Sequence, residues 1–275
     1  MNWKRFCAVF AAAALCLSTL AGCSGSGAGE SQPPADGDGG LLAAIQAKGE
    51  LTIAMEGTWA PWGYHDENDN LVGYDVEIAQ AIADKLGVKA NIVEGEWAGI
   101  LAGLEGGRYD IIVNGMDIDE SRQEKYDFST PYAYNRTVVI TREDDDSIQT
   151  MEDLDGKTTA NTLNSTYANV AEGYGATVTP VDDFIQTIEL LTSGRIDATL
   201  NAEVSYYDYI GVHPDAPVKV ACIDSESTQV AIPMRKGEET ASLRAAIDQA
   251  LAELAQDGTL SELSTKYFGT DISHP

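Results

Sequence analysis

The sequence is short of basic residues, histidine and cysteine, and each shortage closes off a class of function. Lys and Arg number 17 against 44 Asp and Glu, a formal net charge of −27. Such a surface repels phosphate backbones and anionic headgroups, which argues against a nucleic-acid partner. It also keeps a chain soluble and attracts cations. The three histidines, His65, His213 and His274, fall into no zinc or catalytic-triad spacing, so neither a metal nor a cofactor is expected. Of the four cysteines, Cys7, Cys16 and Cys23 lie at the N-terminal end. Cys222 alone remains for the domain, which excludes an intramolecular disulfide there. Stability must come from a hydrophobic core, and ~230 residues suffice for one large domain or two modest ones. Long apolar runs are scarce too. The longest, Phe6 to Leu20, is too short for a membrane span.

That run follows Lys4 and Arg5, the charged head of a processing segment over residues 1–22. It closes on Leu20-Ala21-Gly22-Cys23, which looks like a bacterial lipobox. The likeness implies cleavage before Cys23 and a lipid on its sulfur. Residues 24–40 are Gly, Ser, Pro and acids with almost nothing to bury, and with Cys23 they read as a tether spanning about 20–25 Å. The globular part is therefore expected outside the cytoplasm, anchored to the cell membrane through lipid.

The rest of the chain is organised around Asp110 to Arg122. Ile111, Ile112 and Val113 form a wholly apolar β-branched run, the mark of a buried parallel strand. Asn114-Gly115 breaks the run and polar residues follow. A buried strand ending in polar groups and glycine is where an open α/β sheet presents its ligand crevice. Arg122, scarce in this composition, is suited to a two-pronged carboxylate contact there; alternatively it pairs with Asp119, Glu120 or Glu124 on the surface. Leu104 to Gly115 has a counterpart in Leu191 to Ala202, with Leu, Gly, Arg, Asp and Asn at the same offsets. Each copy reads as a helix end, a glycine cap and a strand finishing in Asn. An echo of this length points to two lobes of similar build.

Leu71-Val-Gly-Tyr-Asp-Val-Glu-Ile78, Gly107-Arg-Tyr-Asp-Ile-Ile112, Glu120-Ser-Arg-Gln-Glu-Lys-Tyr-Asp-Phe-Ser-Thr-Pro-Tyr132 and Gly194-Arg-Ile-Asp-Ala198 together resemble the polar amino-acid substrate-binding proteins of ABC importers, the bacterial extracellular solute-binding proteins of family 3. The resemblance runs from about Leu51 to Gly269. It implies an α/β, two-lobe periplasmic-binding-protein-like fold of type II, with two open sheets flanked by helices and two hinge strands. Lobe 1 is expected over 41–131 and 231–275 and lobe 2 over 132–230, with a crossing at each end. The implied function is capture of a polar L-amino acid between the lobes and delivery to a membrane permease, by a monomer and without catalysis. Two alternatives share the fold. One is a dehydratase-like or cell-wall-cleaving enzyme, which would work through carboxylates such as Asp117 and Glu203. The other is a ligand-sensing domain partnering a separate receptor.

The same resemblance assigns a site. Trp59 covers the ligand, Glu56 meets its side chain, and Trp97 forms a second wall. Asn114, Gly115, Met116 and Asp117 form the loop beside the ligand, and Arg122 grips its carboxylate. In the facing lobe, Thr166 matches a carboxylate-binding position and Thr162 a pocket-lining one. Ser165 or Asn164 would cap the helix whose free N–H groups favour an anion. The family usually has Gly where Asn164 stands. Asn201 ends the echoed strand. The family's ammonium-binding Asp is replaced here by Ala202, and the position of Asp117 usually holds Thr or Ser. A buried unpaired ammonium costs several kcal/mol, so the anion is expected to have moved to Asp117 or, less favoured, Glu203. Asp66, Asn68, Asn70 and Glu77 match calcium-loop offsets, but Leu71 stands where the sharp turn needs Gly, and the stretch reads as a hairpin turn.

Overall fold

A computed structural model describes residues 40–275; the processing segment, Cys23 and all of the tether but Gly40 lie outside the described residues. Helix α1 (Gly40–Lys48) leads into β1 (Glu50–Met55), then a small antiparallel hairpin sheet of β2 (Thr58–Trp59), β3 (Gly63–His65) and β4 (Leu71–Val72). The Asp66–Asn70 segment is the β3–β4 turn. Asp66 Oδ1 accepts from the Asn68 and Asn70 amides at 2.8 and 2.9 Å, so its carboxylate already closes the turn.

Helix α2 (Tyr74–Lys85), β5 (Lys89–Glu94), α3 (Trp97–Glu105) and β6 (Ile111–Ile112) complete the first sheet, of order β5–β1–β6 and parallel throughout. Leu51, Ile53, Ala54, Met55, Ile111 and Ile112 are all fully buried. Helices cover both faces of such a sheet, which explains the unbroken apolar runs. Ile78 and Ile82 of α2 fill one face, and Ile100 and Leu104 of α3 the other.

Helix α4 (Glu120–Lys125) and β7 (Tyr126–Phe128) lead to the long β8 (Ala133–Arg142). A 3-10 turn, Met151–Leu154, precedes β9 (Thr158–Thr162), α5 (Thr166–Gly173), β10 (Thr177–Val181), α6 (Phe184–Thr192), β11 (Ala198–Ala202) and α7 (Glu203–Val212). Strand β12 (Val218–Val230) completes a second sheet of order β10–β9–β11–β8–β12, parallel over its first three strands and antiparallel at β8 and β12. The chain returns through β13 (Pro233–Arg235), which pairs with β7, and ends in α8 (Glu238–Gln256) and α9 (Thr259–Phe268). Leu243, Ile247, Leu251 and Leu254 of α8 and Leu260 of α9 are buried in the same cluster as Leu51 and Ile78.

The two crossings run side by side. The Tyr132 amide donates to Val230 O at 2.9 Å and the Ser129 amide to Ile232 O at 3.0 Å. A pair of adjacent extended segments is the arrangement that hinges between lobes use. Both crossing strands exceed what their apolar residues announce. The second shows only Thr228 to Pro233 in the sequence pattern, yet β12 starts at Val218. Its earlier half carries Lys219, Asp224, Ser225 and Glu226 around two register shifts. An edge strand with one wet face lacks the apolar run that marks a buried one. Ile185, part of the apolar series for α6, is 46% exposed.

Candidate functional site

The two echoed segments adopt one local design. Gly107 and Gly194 both stop their helices at φ 71°. Asp110 Oδ2 accepts from the Thr52 amide and Asp197 Oδ2 from the Thr158 amide, each at 2.8 Å. Each aspartate thus ties the start of its strand to the neighbouring parallel strand. Carried forward, the two segments deliver Asn114 and Asn201 to facing walls of one cleft.

Arg122 is 7% exposed although it sits in a short, polar helix. Asp119 caps that helix, accepting from the Arg122 amide at 2.9 Å, and its other oxygen lies 3.3 Å from Arg122 Nε. The local pairing foreseen as the surface alternative is therefore present, but it aims the side chain inward. Nη1 donates to Asp117 O at 2.9 Å and, across the cleft, to Thr166 Oγ1 at 2.8 Å; Nη2 donates to Asn164 O at 3.3 Å. Thr166 begins α5, whose cap is Ser165, with Oγ accepting from the Ala168 amide at 3.1 Å. A guanidinium, a threonine hydroxyl and a helix start converge on one point, an arrangement suited to a carboxylate.

Asp117 lies beside this point, 4% exposed. Its Oδ1 has no hydrogen-bond partner among the described residues. Burial pushes the carboxyl pKa up, against the opposing pull of Thr228 and Arg122. A buried carboxylate with an open acceptor site is costly unless a cation meets it. Its backbone is fixed by the hinge: Asp117 bridges Val230, the Ile118 amide donates to Gln229 O at 2.8 Å, and the Ala231 amide to Met116 O at 3.0 Å.

At another point of the cleft, Glu56 follows β1. Asn114 clamps it twice, accepting from the Glu56 amide at 2.7 Å and donating to Oε2 at 2.9 Å. Burial, with the like charges of Glu96 and Asp183, raises the Glu56 pKa to about 7 even though the Asn114 bond pulls it down. The two carboxylates that repel here come from opposite lobes.

The walls are aromatic. Trp59 stacks on Trp62 at 5.5 Å and donates from Nε1 to Asn201 Oδ1 across the cleft at 3.2 Å. Trp97 lies under the Arg122 guanidinium, 5.6 Å from ring to charge. Gly115 has φ 54°, and a Cβ there would come within 2.7 Å of the Trp59 ring. Glycine is required by both conformation and space.

Thus Glu56, Trp59, Trp97, Asn114, Gly115, Met116, Asp117, Arg122, Thr162, Ser165, Thr166 and Asn201 all line the cleft. Glu203 does not. Its carboxylate is held by Arg136, Nε to Oε2 at 2.8 Å and Nη2 to Oε1 at 2.9 Å, and a two-pronged ion pair leaves it no reason to turn toward a ligand. Of the two acids weighed for the ammonium, only Asp117 lines the cleft. The sequence reading missed Thr58, Asn161, Tyr167, Asp182, Asp183, Phe184 and Thr187. Phe184 opens an apolar helical series with Ile188 and Leu191, and nothing in that series marks it as a cleft residue. The doublet before it carries a helix-cap signal that would have placed it at a strand-to-helix corner, because Asp183 Oδ1 accepts from the Gln186 amide at 2.9 Å.

The model of the family described as bacterial extracellular solute-binding proteins, family 3, matches residues 51–270. The L-cystine-binding protein TcyA of Bacillus subtilis is 36% identical over 258 residues, covering 94% of this chain and 95% of its own. An ancestral arginine-binding protein bound to arginine superposes with a TM-score of 0.74 at 36% identity, covering 80% of this chain and 99% of that one. The L-cystine solute receptor of Neisseria gonorrhoeae, unliganded and open, gives 0.58 at 37% identity, with 86% and 100% covered. Identity is nearly equal in the two structures, so the poorer fit to the open one accords with the direct lobe-to-lobe hydrogen bonds described above.

Proposed function

This chain belongs to the bacterial extracellular solute-binding proteins, family 3, and we propose that it captures a polar L-amino acid carrying a second positive group and delivers it to an ABC importer. The observation that carries the reading is the buried Arg122 meeting Thr166 at the start of α5 across the cleft. There the ligand α-carboxylate replaces part of Arg122's present hydrogen bonding, at about 1.5–3 kcal/mol per charge-assisted contact. Asp117 takes the α-ammonium with its open oxygen. Glu56, held by Asn114, takes the distal cation. Trp59 and Trp97 exclude water from both ends. Relatives named for L-cystine and neighbours named for arginine support this reading, since each of those ligands carries two positive groups.

The protein works outside the cytoplasm, as its family does. In our reading it is a monomer held at the membrane by lipid on Cys23, and its partner there is the importer's permease. A thermal-shift screen against the twenty amino acids, cystine and ornithine tests the ligand class, because a ligand that binds the folded state raises the melting temperature by mass action. The largest shifts are expected from ligands with two positive groups. If none of these compounds shifts the transition, the carrier reading is wrong.

A further inference from the structure

Asn164 is not among the groups lining the cleft, yet two of those groups bond to it. It precedes Ser165, the cap of α5, and has φ 63°, in the left-handed region that Asn tolerates and most side chains avoid. This turn carries its backbone carbonyl out of lobe 2. There it accepts from Trp97 Nε1 and from Arg122 Nη2, both at 3.3 Å. Both donors belong to lobe 1 and touch each other through the ring-to-guanidinium contact. Thr166, two residues on, takes the other terminal nitrogen of Arg122. Asp119 holds its Nε.

We propose that Asn164 is a positioning residue: its left-handed peptide presents one carbonyl that Arg122 and Trp97 share, and so helps to set the plane of the guanidinium and the edge of the ring as the lobes meet. This rests on the carrier reading of the cleft. The carbonyl does the work and the Asn164 side chain does not, so a substitution acts only through the backbone conformation it permits. In an open molecule that carbonyl can be hydrated and the turn is free to relax. Closure demands the left-handed form, so the strain falls on the closed complex and raises the dissociation constant.

The experiment is a graded series, Asn164→Gly, Asn164→Ala and Asn164→Val, measured by calorimetric titration with the best ligand of the screen and by stopped-flow tryptophan fluorescence. Asn164→Gly should bind within about twofold of the parent, because glycine enters the left-handed region freely. Asn164→Val should bind about fivefold to thirtyfold more weakly, the factor expected for forcing a branched side chain into that region. The loss should appear as faster dissociation, with Asn164→Ala in between. A turn that is left-handed in the open molecule too would lower the melting temperatures of the Ala and Val variants without changing their affinities, and that result overturns the proposal. So does equal weakening in the Gly and Val variants. Should the parent bind no amino acid at all, the carrier reading itself fails, a result distinct from either.

Discussion

Replacing Asp117 with Asn should move two measurable quantities in opposite directions. Asp117 is buried, its Oδ1 has no hydrogen-bond partner among the described residues, and burial raises its pKa. A carboxyl whose folded pKa lies above its unfolded value weakens the fold once the pH exceeds the unfolded value, because the folded state must then hold a charge it disfavours. The isosteric amide removes that penalty, so the ligand-free Asp117→Asn protein should melt at the same or a higher temperature at neutral pH. Binding should suffer. If the ligand ammonium meets this carboxylate in a closed, dry cleft, the lost charge-assisted contact costs about 2–3 kcal/mol, which is about 30-fold to 150-fold in dissociation constant. The amide oxygen preserves some acceptor capacity, which holds the loss below the larger cost of stranding a buried charge. Calorimetric titration at pH 7.5 together with a melting curve of the ligand-free protein reads both quantities. An unchanged affinity would refute the assignment of Asp117 to the ammonium, whatever the stability does.

The remaining predictions concern Glu56 and the buried pair behind the binding loop. Burial raises the Glu56 pKa to about 7, so near neutral pH a ligand cation displaces a proton from it. Affinity for a ligand with a distal positive group should rise as pH goes from 6 to 8 and level off above, while Glu56→Gln should flatten the profile. A steep profile in Glu56→Gln would place the titrating group elsewhere. In the ligand-free protein Glu56 and Asp75, both raised to about 7 by burial, bind more protons folded than unfolded between pH 5 and 7. The melting temperature should fall across that window. Tyr132 donates its hydroxyl to Asp75 Oδ1 at 2.7 Å, and Asp75 Oδ2 has no hydrogen-bond partner among the described residues. Tyr132→Phe should cost about 1–3 kcal/mol, a drop of several degrees in melting temperature, with the greater loss above pH 7 where Asp75 is ionised.

The scaffold of the site was readable because its signals are local. A β-branched run that halts at Asn-Gly can only be a buried strand meeting a turn, and the second Gly-Arg-x-Asp segment announced a second lobe. Arg122 stood out by scarcity. What stayed hidden depends on partners far apart in the chain. Nothing near Glu203 in sequence says that Arg136, 67 residues earlier, holds it. Asn114 was placed on the ligand, but its side chain grips Glu56 from 58 positions away. The Asp182–Phe184 corner was masked by apolar periodicity, which cannot distinguish a side chain packed against a sheet from one at the edge of a crevice. The polar half of β12 escaped for the converse reason, since an edge strand buries too little to leave an alternating pattern.

Acids brought together from both lobes make the cleft a store of electrostatic pressure. Asp183 on one side adds to the cost of ionising Glu56 on the other, and a bound cation is the natural counterweight. Once the cargo departs, Glu56 takes a proton back from the medium below about pH 7. If Glu56 meets the cargo's cation, each loading would shed a proton and each unloading would recover one.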